Sequence, residues 1–270
     1  MAIACIVAGA LVAAMVVVVG QARWARRRMQ GQALANNEQR GVLRGDRPTL
    51  TMWAVGELAS VGAGASGNGK SMVARSAAEL SRLSGRRVRW QARGRGGLRA
   101  AQVSLDQLPT TSDAAPDLLI FILGVSDTVC LRRVSAWRRD LTMLLETVRT
   151  RISDTVPVLF TGIPPMQRLS LLPRPLRWLL GIHGARLDRA LCDFARTQAR
   201  VWYLAAPEPD GYLVTVEGGL QPDERSSQHW GRTLAQGCVA VLSPHSADGR
   251  GVPGLHMMVG GVGGGELRLR

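Results

Sequence analysis

Gly64-Ala65-Ser66-Gly67-Asn68-Gly69-Lys70-Ser71 matches the pattern G-x-x-x-x-G-K-S at every required position, and Lys70 is the only lysine of the chain. In a phosphate loop, glycines such as Gly64 and Gly69 let backbone N–H groups surround phosphate oxygens. The lysine meets the β/γ-phosphates and the serine, here Ser71, holds Mg²⁺. Such a loop springs directly from a buried strand, whereas the nearest strand candidate ends at Val55, well before Gly64. Ser60 and Ser66 lie in the same stretch, and a displaced serine paired with His229 is the other nucleophile–base combination the residue types offer. Cys5, Cys130, Cys192 and Cys238 are far apart, with no Cys-x-x-Cys. With four scattered histidines they form neither a zinc-site pattern nor a disulfide framework, so no metal is expected. Cys130 follows an apolar run without a basic neighbour in sequence and reads as a buried thiol.

The elements that must position such groups alternate between strand and helix. Residues 49–55 are a short apolar strand, and residues 71–83 carry Met72, Val73, Ala77, Leu80 and Leu83 at helical spacing. Val88 and Trp90 alternate with arginines in 87–92, as in a strand near a sheet edge. Residues 117–123 (DLLIFIL) are continuously apolar, as a parallel strand buried on both faces requires. Trp137, Leu141, Leu144, Leu145, Val148 and Ile152 form one helical stripe. Residues 156–160 give a fourth strand, and a Pro-rich loop follows. A helix over 187–199, a strand over 201–204 and a closing helix over 225–242 complete the pattern. The expectation is a three-layer α/β/α domain over residues 48–242, built on a doubly wound, all-parallel sheet of about five strands. Ligands then bind beyond the carboxyl ends of the strands.

At those ends the chain resembles the SGNH (GDSL-type) esterase and lipase family. The first strand runs into Gly56-Glu57-Leu58-Ala59-Ser60, where the family writes Gly-Asp-Ser and a glycine-punctuated loop. The second ends in Gly94-Arg95-Gly96-Gly97, and the third in Gly124-Val125-Ser126-Asp127, against a family Gly-x-Asn-Asp. Trp137-Arg138-Arg139-Asp140-Leu141 and Gly162-Ile163-Pro164-Pro165-Met166 are similar to segments of one bacterial branch. Gly218-Gly219-Leu220-Gln221-Pro222 stands where the family has Asp-Gly-x-His-Pro.

The resemblance implies a flavodoxin-like sheet, no cofactor, and attack of a serine on an ester carbonyl. The serine N–H, the second-block glycine and the third-block asparagine hold the oxyanion; an Asp and a His activate the nucleophile. Position by position, the nucleophile is replaced by Leu58, the asparagine by Ser126, the aspartate by Gly218 with Glu217 beside it, and the base by Gln221. Only Gly97 is kept. Loss of a nucleophile or base from a triad costs on the order of 10⁴–10⁶ in turnover. The expectation is therefore a non-catalytic relative that keeps the scaffold and an acyl-ester or lipid-like ligand near Gly97, Ser126 and Asp127. An esterase using displaced groups, or a nucleotide-binding protein using Gly64 to Ser71, are the alternatives.

Residues 1–22 carry no charge, and from Ala2 to Val19 all are apolar but Gly9. About twenty helical residues span a bilayer's hydrocarbon layer. The arginines follow the run (Arg23, Arg26, Arg27 and Arg28), so the segment reads as a membrane anchor with the body of the protein cytoplasmic at the inner membrane. Anionic headgroups are the expected partner of that cluster. Residues 23–47 read as a basic linker and 243–270, with its glycine run, as a flexible tail. The chain is strongly basic at +14, yet it has few aromatics and no nucleic-acid-reading motif, so nucleic acid is not an expected partner.

Overall fold

The computed structural model describes residues 37–57, 71–103, 108, 115–168, 173–207, 213–216, 219–222 and 224–243, with 16, 17, 19–21, 23 and 27 near the N-terminus. The anchor expected over 1–22 lies mostly outside these residues, and all but the first residue of the expected tail does so too. Among the described residues no helix is long and apolar enough to cross a membrane.

Strands β1 (Asn37–Leu43), β2 (Arg47–Glu57), β3 (Arg86–Arg95), β4 (Leu118–Ile122), β5 (Val158–Thr161) and β6 (Val201–Leu204) form one sheet in the order β1-β3-β2-β4-β5-β6. From β3 to β6 all neighbours are parallel. β1 pairs antiparallel with β3. The sheet is thus mixed and six-stranded, not the all-parallel sheet of about five strands expected, and its extra strand lies inside the segment read as linker. The physical reason is the pattern of β1, Asn-Glu-Gln-Arg-Gly-Val-Leu, whose exposed Glu38, Arg40 and Val42 suit an edge strand better than a core one. Gly41 is required there, since a Cβ would stand 2.7 Å from the Trp90 indole nitrogen.

Helices α1 (Met72–Ser84), α2 (Val125–Val129), α3 (Val134–Arg151), α4 (Leu176–Thr197) and α5 (Glu224–Leu242) supply the crossovers. One core joins α1 and α5 to the sheet through Met52, Ala54, Leu118, Ile120, Leu234 and Cys238. The other joins α3 and α4 through Trp53, Val55, Leu119, Phe121, Phe160 and Phe194. Alternate residues of β2 and β4 enter opposite cores because strand side chains alternate in direction. Phe121 stacks on Phe160 at 5.2 Å, and Phe160 meets Phe194 edge-on at 6.2 Å.

Helix α4 starts eleven residues before the expected position 187. Gly181 and Gly184 had weakened the helical pattern, but both serve close packing. A Cβ at Gly181 would stand 2.7 Å from Gln167, and one at Gly184 3.2 Å from Met166 and 3.3 Å from Thr128. A hairpin of β7 (Leu213–Val216) and β8 (Gly219–Pro222), absent from the expected strand pattern, precedes α5.

Candidate active site

Leaving out β1, the five parallel strands follow the order second, first, third, fourth, fifth. The chain reverses its direction of winding between β2 and β4, the point at which open α/β sheets place a ligand crevice beyond the carboxyl ends of their strands. Gly56 lets the two strands close up at that end: a Cβ on it would stand 2.6 Å from the Ile122 carbonyl oxygen. β2 delivers Glu57 to the crevice as its last residue. β4 is followed by Gly124, whose φ of +116° turns the chain into α2. A side chain at Gly124 would also strike Ile163, 2.6 Å away.

These two turns meet. The Glu57 carboxylate accepts the Ser126 N–H at 3.1 Å through either oxygen, and the Ser126 hydroxyl at 2.8 Å. A further backbone N–H, from Val125, is directed at the same carboxylate. Glu57 therefore caps the start of α2 from a neighbouring strand. Burial pushes its carboxyl up to about 7; the Ser126 donors pull against this, and the Asp127 charge adds to it.

Asp127 is fully buried. One of its oxygens accepts the Ala100 N–H at 3.1 Å, and the other, Oδ1, has no hydrogen-bond partner. Burial raises its carboxyl to about 6, with Ala100 opposing and the nearby Asp140 reinforcing. Asp140 itself is held by a forked pair from Arg132, both contacts 2.7 Å. The Ala100 bond ties the end of the β3 loop to α2. Gly97 lies in that loop, half-buried, with φ +70° and open space where a Cβ would stand. Beyond β5, Asp188 of α4 accepts the Ile163 N–H and the Tyr203 hydroxyl, each at 2.8 Å. Burial raises the Asp188 carboxyl, against both donors.

Of the expected site residues, Glu57, Ser126 and Asp127 come together at the crevice, and the loop of Gly97 is bonded to them. Leu58 directly follows Glu57 in sequence but lies outside the described residues, as do Glu217, Gly218, Ser60 and Ser66. Gln221 is in β8, paired with Val214, and its side chain is outside the described residues. His229 sits half-buried on α5. Of the phosphate-loop alternative, Gly64, Gly69 and Lys70 lie outside the described residues. Ser71 is buried and caps α1 by accepting the Ala74 N–H at 3.1 Å. Cys130 is half-buried, not the buried thiol expected. Among the described residues no group of three or more His, Cys, Asp or Glu is placed to hold a metal.

The pairing of Glu57 with Ser126 was not read from the sequence, where Glu57 counted only as a neighbour of position 58. The signal was there in principle: an acid ending one strand and a hydroxyl in the first turn after the next-but-one strand share the switch point. Asp188 and Tyr203 carry no such signal, because neither ends a strand at a recognisable motif.

The GDSL-like Lipase/Acylhydrolase family model matches residues 58–229, well over half of the chain. Sequence comparison with curated proteins returns no match. The fold is shared with an extracellular lipase from Streptomyces rimosus at 14% identity and a TM-score of 0.51, over 70% of this chain and 99% of that one. A carbohydrate acetylesterase family member from Sinorhizobium meliloti shares it at 17% identity and 0.51, over 72% and 99%. The inhibitor-bound M. smegmatis aryl esterase does so at 15% and 0.51, over 71% and 99%.

Proposed function

We propose, for a chain that belongs to the GDSL-like lipase/acylhydrolase family, that it is a membrane-anchored member whose ester-cleaving site has become a non-catalytic binding site for an acyl-ester or lipid-like ligand. The observation that carries this reading is the engagement of Ser126. Its N–H and its hydroxyl, at the position where the family places an oxyanion donor, both bond the Glu57 carboxylate. A donor already satisfied by an internal anion is not free to stabilise a developing one. Oxyanion donors matter because they stabilise charge that appears only in the transition state; losing one costs about 10²–10³ in turnover. Ionised Glu57 would in addition oppose negative charge on a tetrahedral intermediate.

The sequence supports the same reading. Leucine at position 58 has no atom that can form an acyl intermediate, and glutamine at 221 cannot take a proton at neutral pH. Replacement thiols are poor candidates: burial pushes Cys238 up to about 12 and raises Cys192 as well. Anchoring rests on the uncharged residues 1–22 and the arginines that follow them.

The test is chemical. Full-length protein in detergent is expected to leave short-chain nitrophenyl esters intact at the rate of a Gly97→Ala control, and to take up no fluorophosphonate label. Labelling of Ser60, Ser66 or any other hydroxyl would instead establish an esterase with displaced groups.

A further inference from the structure

Helix α4 buries Leu176, Leu180, Leu187 and Leu191 toward the sheet and its neighbours. Its outward face should then be polar. Over the second half it is, with exposed Arg186 and Arg189. Over the first two turns it is not: Trp178, Leu179 and Ile182 are 62%, 47% and 55% exposed. These three positions, spaced i, i+1 and i+4, share one side of the helix. Apart from Arg177, the residues from Leu176 to Ile182 are apolar or glycine, so an exposed apolar face adds to the buried one over the first two turns. A stretch of that kind asks for a second apolar neighbour.

What lies next to it is the end of the N-terminal apolar segment. The Gln21 side-chain amide donates to the Arg174 carbonyl at 3.2 Å, two residues before α4 begins. Helical Val16, Val17 and Val19, just upstream of Gln21, are themselves exposed. That hydrogen bond sets the end of one apolar segment beside the start of the other, and the arginines near them in sequence are Arg23 and Arg27 on one side and Arg174 and Arg177 on the other. An apolar face carrying a tryptophan and rimmed by arginine is the chemistry of the bilayer interface, where indole sits at headgroup depth and cations pair with anionic lipid.

We propose that Trp178, Leu179 and Ile182 of α4 insert into the interface of an anionic bilayer, as a second membrane contact beside the N-terminal anchor. The inference rests on the anchored reading above and extends it. α4 rises from the loop that follows β5, at the same sheet end as Glu57 and Ser126. Docking through its first turns turns the crevice toward the lipid, so the ligand class becomes an ester carried in the membrane, not a soluble one.

Quenching by brominated lipid tests this on the full chain, reconstituted in phosphatidylcholine vesicles containing phosphatidylglycerol. Trp53, Trp90 and Trp137 are buried in the protein, and Trp202 and Trp230 pack against the α1–α5 core. Among the described residues Trp178 is then the one exposed tryptophan, and Trp24 directly follows Arg23 at the end of the anchor in sequence. Wild type is expected to be quenched most, Trp24→Phe and Trp178→Phe each to lose part of the quenching, and the double variant to lose nearly all of it. Circular dichroism and melting confirm that each variant is folded. If Trp178→Phe is quenched as strongly as wild type while Trp24→Phe loses quenching, the α4 contact is overturned and the anchor stands. If wild type is not quenched at all, both fail. A detergent-stable dimer abolished by Trp178→Gln/Leu179→Gln/Ile182→Gln would assign the face to a second copy of the chain and overturn the lipid contact.

Discussion

Glu57 carries a pH dependence whose sign can be worked out. Its carboxyl rises from an ordinary 4.5 to about 7 on folding. Between those values the folded state holds more protons than the unfolded one, so raising the pH costs stability. The contribution is complete below about pH 4.5 and is lost as pH climbs through 7. Asp127, raised to about 6 by its own burial, acts in the same direction over a lower window. Glutamine at 57 could still accept both Ser126 donors through its amide oxygen while carrying no charge. Glu57→Gln is therefore expected to be more stable than wild type at pH 8, by on the order of 1–3 kcal/mol. The advantage should vanish near pH 5. Melting curves at the two pH values check this, and an equal advantage at both would mean that the Glu57 charge is not what folding suppresses.

Among the elements, β1 separates what the sequence displayed from what it hid. β4 is apolar at every position because both its faces are buried, and such a run is readable without context. β1 buries Gln39 and shows Glu38, Arg40 and Val42 to solvent, so polar and apolar residues do not sort by face. Its place is fixed by partner and register, Asn37 opposite Gly94 through Leu43 opposite Val88, and no local pattern encodes that. The first two turns of α4 were hidden differently. Gly181 and Gly184, in a segment that begins with Pro173 and Pro175, resemble a loop until one sees the close approaches they permit. The crevice shows the same division. That positions 97, 126 and 127 follow strand ends is legible from motif spacing, while the bond from Glu57 to Ser126 depends on β2 lying next to β4. An edge strand has a measurable duty. A fragment of residues 45–242 would strip β1, expose the unpaired edge of β3 and uncover Trp90, which is only 3% exposed. It should melt lower than residues 34–242 and scatter light at concentrations where the longer fragment stays clear. Equal behaviour of the two would show that β1 adds nothing to the sheet.

For the whole molecule, the proposed loss of chemistry can be separated from the retained scaffold. The sheet order sets the ends of β2, β3 and β4 side by side, so restored side chains at 58 and 126 would follow neighbouring strands, with the retained Gly97 after the third. The obstacle lies in the same arrangement. A variant with Leu58→Ser, Ser126→Asn, Gly218→Asp and Gln221→His regains the family's reacting groups but keeps a glutamate whose carboxylate takes the side-chain donor at 126. The family has aspartate at position 57, one methylene shorter. Adding Glu57→Asp would draw the carboxylate back from residue 126 and leave the side-chain amide of the restored asparagine free to meet an oxyanion. The five-site variant should therefore cleave nitrophenyl acetate at least about tenfold faster than the four-site variant, within the range that one oxyanion donor contributes. Initial rates of the two, measured side by side with wild type as the blank, decide it. A four-site variant as fast as the five-site one would show that Glu57 does not obstruct the crevice, and the account of Ser126 as an occupied donor would fall with it.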